Sequence, residues 1–214
     1  MPDLGNGPRV KLKVCAVGEE AVGKTSLIGR FMGDVFAEDY VRTLGTLINK
    51  KTVEVERPAG APVAVEVVIW DIMGFPGFMQ LLRDAYFYKA RGVFAVLDLT
   101  RRETLEGLHA WLRGMYDAVG PQPVVILANK ADLDEEREVS QADVATLSET
   151  YDAPYYVTSA KTGNGLAEGF EALIELTLER WEILRDVSLE EEATVMDPET
   201  SHLSMVSERP HGRR

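Results

Sequence analysis

Gly18-Glu19-Glu20-Ala21-Val22-Gly23-Lys24-Thr25 is the stretch that decides how this chain folds. It fits G-x-x-x-x-G-K-[ST], a loop that wraps an anion, and its flanks agree with its letters. Upstream, Val10, Leu12, Val14 and Ala16 alternate with Lys11, Lys13 and Cys15 and run into Val17, the pattern of a strand entering a buried sheet. Downstream, Ser26-Leu27-Ile28-Gly29-Arg30-Phe31 opens an amphipathic helix. Strand, tight loop and helix start together gather free backbone N–H groups and the positive end of a helix dipole around one site. Gly18 and Gly23 permit the wrap, Lys24 can bridge the outer phosphates of a nucleotide, and the Thr25 hydroxyl can ligate magnesium.

Working outward, strand and helix patterns alternate. Residues 1–8 form a Gly/Pro leader, and 34–44 read as a polar loop. Leu47–Glu56 and Val63–Asp71 read as a hairpin joined through 57–62, while Ile72–Phe78 is too broken by Gly and Pro for regular structure. A helix follows to about Ala90. Val93–Leu97 and Val124–Ala128 are continuous apolar runs, as expected of parallel strands covered on both faces. Helical spacing marks Glu103–Val119, Ser140–Tyr151 and Leu166–Leu184, and Tyr155–Val157 reads as a short strand. Trp111 and Trp181 read as helix-packing residues, and Asp134–Glu138 as a solvated loop. The expected fold is α/β and three-layered: a mainly parallel six-stranded sheet, one antiparallel edge strand, and helices on both faces. Its domain spans 9–185. From 186 to 214 acidic residues outnumber arginines and large apolar residues are few, so an acidic, disordered or partner-ordered tail is expected.

The chain's 214 residues carry a formal charge of −12, which argues against general binding to nucleic acid or to anionic membrane. The lone cysteine, Cys15, sits in a strand pattern and leaves no disulfide or zinc framework. Neither a membrane-spanning run, a signal peptide nor a cysteine for a lipid anchor is evident, so a soluble, cytoplasmic chain is expected.

Further short motifs fall at strand ends. Asn129-Lys130-Ala131-Asp132 follows one buried strand. A carboxylate at Asp132 can accept from guanine N1–H and the 2-amino group together, whereas adenine would leave that charge unpaired. Lys130 can lay its stem along the base, and Asn129 can tie this loop to the phosphate loop. Ser159-Ala160-Lys161 follows the last strand and can offer the Ala160 N–H to guanine O6. Asp71 can hold magnesium through water, the Gly74 N–H can contact a terminal phosphate, and the Thr43 hydroxyl can complete the metal's shell when a γ-phosphate is present. Two loops ordered by one phosphate and released when it leaves make a switch.

These motifs resemble those of the Ras-like small GTPases, nearest the Rab-type branch, over about residues 9–184. Trp70-Asp71, Leu97-Asp98-Leu99-Thr100 and Thr158–Gly163 carry the Rab-like part of the resemblance. It implies GTP and GDP as ligands, with Mg2+. The N–H groups of Ala21, Val22, Gly23, Lys24, Thr25 and Ser26 would then hold phosphate, Phe36 would pack on the guanine, and Tyr40 would fold over the phosphates. Lys24, Thr43 and Gly74 would carry the catalytic roles, and Thr25, Thr43 and Asp71 the metal. Asn129, Lys130, Asp132, Ser159, Ala160 and Lys161 would build the base pocket. Effector, GTPase-activating (GAP) and exchange-factor proteins are implied through residues 34–48 and 71–88. Ile48, Trp70 and Phe87 would form a surface cluster read by effectors, with ordinary core packing as the alternative.

The resemblance breaks at Phe75, at Glu20 and in the lack of a carboxyl-terminal cysteine for prenylation, which puts lipid anchoring in doubt. Phe75 stands where active members carry a glutamine that orients water, and a phenyl ring can neither donate nor accept. Glu20 stands where the family prefers a small residue. A carboxylate about 5 Å from a γ-phosphate would cost roughly 3 kcal/mol at an effective dielectric of about 20, unless it faces solvent or meets a cation. Arg42 lies beside Thr43 but out of register for an internal arginine finger. The leading reading is a switch that hydrolyses GTP slowly with GAP assistance. A GTP-binding module with little turnover is the alternative, and an ATP-dependent kinase is opposed by Asn129–Asp132.

Overall fold

The computed structural model describes residues 9–33, 45–57, 62–74 and 84–195. Strand β1 (Arg9–Val17) leads through the Gly18–Gly23 loop into helix α1 (Lys24–Met32). Strands β2 (Thr46–Val55) and β3 (Val63–Ile72) pair antiparallel in full register, from Thr46 opposite Ile72 to Val55 opposite Val63. Strand β4 (Gly92–Asp98) is followed by α2 (Arg102–Val119), and β5 (Val124–Asn129) by a short 3-10 turn (Asp134–Glu136) and α3 (Gln141–Tyr151). Strand β6 (Tyr155–Val157) and α4 (Leu166–Val195) complete the described order. Six strands among the described residues form one sheet in the order β2-β3-β1-β4-β5-β6, every pairing but β2–β3 parallel.

Sequence pattern explains this order. Strands β4 and β5 have no polar face, and every residue in them is buried, so they take the middle of the sheet with helices above and below. Strand β2 alternates exposed with partly buried residues, as an edge strand with one wetted face should. Period-2 alternation along β4 then divides the core. Val93, Ala95 and Leu97 pack on one side with Leu108, Trp111, Leu112 and Met115 of α2 and Val144 and Leu147 of α3. Phe94 points the other way and meets Phe170 of α4 at 4.2 Å between centroids, and Phe170 in turn stacks on Phe31 of α1. Trp111 is thus a core residue, as its spacing predicts, and Cys15 is fully buried with its thiol pushed up to about 12 by burial.

Parallel β1, β4 and β5 all end on one side, at Val17, Asp98 and Asn129, so the loops that follow them are neighbours. Ligands of open α/β sheets bind at such carboxyl ends. The 84–87 segment is helical, in keeping with the helix expected before Ala90. The leader 1–8, the loop 34–44, the hairpin tip at 58–61 and residues 75–83 lie outside the described residues.

Two units divide the chain, Met1–Glu179 and Arg180–Arg214. The first holds the sheet and all the motifs above; of the second, residues 180–195 are described, as helical backbone. Helical backbone therefore continues past Asp186, where the sequence reads as the start of a tail. Leu189, Glu190, Glu191, Glu192 and Ala193 are good helix formers, and propensity does not need a buried face. No described helix is long and apolar enough to cross a membrane.

Candidate functional site

The loop between β1 and α1 is held open from outside by side chains that bind its carbonyls. Gly23 is the N-cap of α1 at φ 98°, and a Cβ there would fall 2.3 Å from Asn129 Nδ2, so only glycine meets both demands. Asn129, at the end of β5, donates that Nδ2–H to the Val22 carbonyl at 2.8 Å. Its Oδ1 accepts from the Ala160 N–H at 3.2 Å, so one carboxamide joins the phosphate loop, the end of β5 and the loop after β6. The Ala160 N–H expected to face guanine O6 is thus bonded to Asn129 in this structure. Lys24 is 6% exposed and curls back over the loop, its Nζ donating to Gly18 O at 2.7 Å and Glu19 O at 2.9 Å. Burial pushes its amine down to about 8, against the pull of Asp71, Glu19 and Glu20 and with a further push from the nearby Arg101 charge.

Thr25, the next residue, donates from Oγ1 to Asp71 Oδ2 at 2.5 Å, bringing the two described metal candidates together across α1 and β3. The other Asp71 oxygen, Oδ1, is buried without a hydrogen-bond partner. Burial raises this carboxyl above its ordinary value, and the Thr25 bond and the Lys24 charge oppose the rise. A hydroxyl and an under-used carboxylate are hard oxygen donors, and magnesium characteristically takes only one or two protein ligands beside phosphate and water. The residues fit the ion. No group of three or more His, Cys, Asp or Glu suited to a metal occurs among the described residues. Gly74 lies hard against the phosphate loop: a Cβ on it would come within 2.4 Å of the Glu19 carbonyl carbon. Its neighbour Met73 donates its N–H to Gly45 O at 3.1 Å, so the backbones next to residues 44 and 75 meet here. Phe36, Tyr40, Arg42, Thr43 and Phe75 lie outside the described residues.

On the base side, exposed Asp132 accepts from Ser159 Oγ at 2.5 Å, which fixes the direction of its carboxylate. Lys130 adopts φ 67° and sends its Nζ 2.6 Å from Asp98 Oδ2. Ser26 and Lys161 are exposed at the rims of the two loops.

Of the two readings of Ile48, Trp70 and Phe87, an effector surface or ordinary core packing, the structure gives core packing to Phe87. Phe87 is 1% exposed and belongs to the core, since the turn it occupies directs it inward. Ile48 stands opposite Trp70 across β2–β3 and is 53% exposed. The Trp70 ring meets Tyr86 edge-on and carries Lys13 Nζ 3.6 Å from its centroid.

Sequence reasoning missed three further groups. Asp98, fully buried, accepts from the Thr100 N–H and Oγ1, from Arg101 Nε at 3.0 Å and from Lys130. Burial alone would raise its carboxyl, but those bonds hold it below its ordinary value. Arg101 reaches onward, donating from Nη2 to the Glu20 carbonyl at 2.8 Å. Glu138, read as part of a solvated acidic run, accepts from the Arg102 N–H at 3.0 Å and so caps α2. An acidic residue closing the apolar Val93–Leu97 run was the one available signal, and it pointed to Asp98 alone.

The family model described as Ras family matches residues 13–179. Ras-related protein Rab-27B of Bos taurus is 31% identical over 178 residues, covering 80% of this chain and 81% of that protein. Ras-related protein Rab-15 of Rattus norvegicus is 30% identical over 172 residues, 79% of this chain and 78% of that one. Ras-related protein Rab-27A of Canis lupus familiaris is 29% identical over 208 residues, 92% and 94% of the two.

Proposed function

The chain belongs to the Ras family of small GTPases, and on that premise we propose that it is a switch that hydrolyses GTP slowly to GDP and phosphate. The observation that carries the reading is the double engagement of Asn129, which makes the base loops and the phosphate loop one site. In that site Asp132, aimed by Ser159, accepts from guanine N1–H and the 2-amino group. The Ala160 N–H adds or exchanges its Asn129 bond for guanine O6. Lys24 swings from the loop carbonyls to the outer phosphates, whose charge offsets the burial of its ammonium. Thr25 and Asp71, with Thr43, would hold magnesium, which neutralises charge developing on the transferred phosphoryl group.

Hydrolysis is slow on this reading because Phe75 has no group with which to align water. A GAP supplies the missing assistance, and effectors and exchange factors bind across residues 34–48 and 71–88. Exposed Leu47, Ile48 and Tyr88 and half-buried Trp70 support that surface. The same Phe75 favours a second reading, a GTP-binding module with little turnover. Residues 1–8 and 186–214 flank the nucleotide-binding domain and take no part in its chemistry, and the net charge of −12 disfavours an electrostatic hold on anionic membrane.

Chromatography of nucleotide released from the freshly purified protein tests the proposal. GDP is expected. GTP alone would support the non-cycling module, and ATP would overturn guanine recognition.

A further inference from the structure

Arg101 occupies the N-cap of α2, a position where Ser, Thr, Asp and Asn serve because they can accept from the first turn. Arginine cannot accept, and its charge faces the positive end of the helix dipole. The side chain makes no cap bond, and Glu138 caps the helix from 36 residues away. A residue so poorly suited to its helix is held for what its side chain does elsewhere. Its guanidinium forks between Asp98 Oδ2 and the Glu20 carbonyl, 81 residues upstream in the phosphate loop.

The bond to Glu20 acts through the peptide plane. In a trans peptide the C=O of one residue and the N–H of the next point in opposite directions. Holding the Glu20 carbonyl outward therefore turns the Ala21 N–H inward, toward the anion. Asn129 does the same two peptide planes further on, through the Val22 carbonyl and the Gly23 N–H. Gly23 takes its left-handed backbone freely, whereas Ala21 sits at φ 63°, in a region that disfavours a Cβ. An alanine there needs an outside hold that a glycine does not.

We propose that Arg101 is a positioning residue for nucleotide phosphate: anchored on Asp98, it fixes the Glu20–Ala21 peptide so that the Ala21 N–H faces the phosphates. Because Asp98 also holds Lys130, the same carboxylate links the base loop to the phosphate loop. This rests on the guanine-nucleotide reading above and adds to it a residue that none of the sequence motifs contains.

The test is the affinity and dissociation rate of a fluorescent GDP analogue, measured with magnesium on full-length protein. Arg101→Ser loses the guanidinium but gains a capping hydroxyl. Its dissociation constant is expected to rise roughly ten- to hundredfold, the range for a lost hydrogen bond to a charged group. Hydrogen exchange in the first turn of α2 should be no faster than in the unmodified protein. A merely structural arginine would move both readouts together, and that result would overturn the proposal. The same substitution in an Ala21→Gly background should lose several-fold less affinity relative to Ala21→Gly itself, since glycine adopts φ 63° without help. An equal loss in the two backgrounds would show that Arg101 acts only as a nearby charge. If the unmodified chain binds GDP and Arg101→Ser binds it equally well, the positioning role alone fails. If the unmodified chain does not bind guanine nucleotide, both readings fail.

Discussion

At the scale of single residues, the base pocket is a matter of donors matched to acceptors. Asp132 is exposed but not loose, because Ser159 Oγ holds one of its oxygens at 2.5 Å. Replacing it with asparagine keeps the shape and puts a donor where guanine also donates. Asp132→Asn is therefore expected to weaken GTP binding roughly ten- to hundredfold and to favour xanthine nucleotides, whose C2 oxygen accepts. Competition of XTP against GTP for the variant measures this, and an unchanged preference for GTP would mean the pocket is misassigned. At the reacting end, Phe75→Gln restores a group able to orient water. It should raise the single-turnover rate severalfold above an unassisted rate on the order of 10⁻⁴ s⁻¹. A rate unmoved by Phe75→Gln would shift the limitation to Glu20 or to the missing partner.

At the scale of elements, α3 shows how local chemistry fixes a boundary. Ser140 accepts from the Asp143 N–H, and the Asp143 carboxylate accepts from the Ser140 N–H and Oγ, a complete capping box. Ser140→Ala should cost about 1 kcal/mol in urea unfolding. Asp143 adds a pH signature. The Ser140 hydroxyl first, then Arg102, pull its carboxyl from 3.8 down to about 2. A carboxyl depressed on folding stabilises the fold above its unfolded value and loses that contribution as pH falls through the folded one. The stability difference between the unmodified protein and Asp143→Asn should thus be complete near pH 5 and shrink between about pH 4 and pH 2, read from urea midpoints. This box was legible because Ser140 and Asp143 are three residues apart. The Arg101–Glu20 and Glu138–Arg102 contacts were not, because they exist only once β1, β4 and β5 lie side by side. For Phe87 the sequence left surface and core open for a related reason: one step of helical phase separates it from half-exposed Tyr86. The described part of α4 runs to Val195 and not to the expected end at Leu184, because the apolar spacing that marks the helix stops before its backbone does.

For the whole molecule, Leu178 is the last fully buried residue of α4 up to Ile183, while Glu179 and Arg180 are exposed. A chain cut after Leu184 keeps every core residue named above. It is expected to bind GDP as the full chain does and to differ by less than about 1 kcal/mol in unfolding, as surface changes commonly do. Nucleotide itself should matter more, because the site gathers groups that fold awkwardly alone. Lys24 is buried against carbonyls, Asp71 Oδ1 is buried without a partner, and Ala21 and Lys130 have left-handed backbones. A ligand that engages these groups binds the folded chain and not the unfolded one, so it stabilises by mass action. GDP at about 100 times its dissociation constant contributes roughly 2.7 kcal/mol, which for a domain of this size raises Tm by about 5–10 °C. Chelating magnesium should remove much of that rise, since Thr25 and Asp71 would lose the ion that joins them to phosphate. Melting scans with GDP, with and without EDTA, decide this. A GDP-induced rise that EDTA leaves untouched would mean that Thr25 and Asp71 hold each other and no ion.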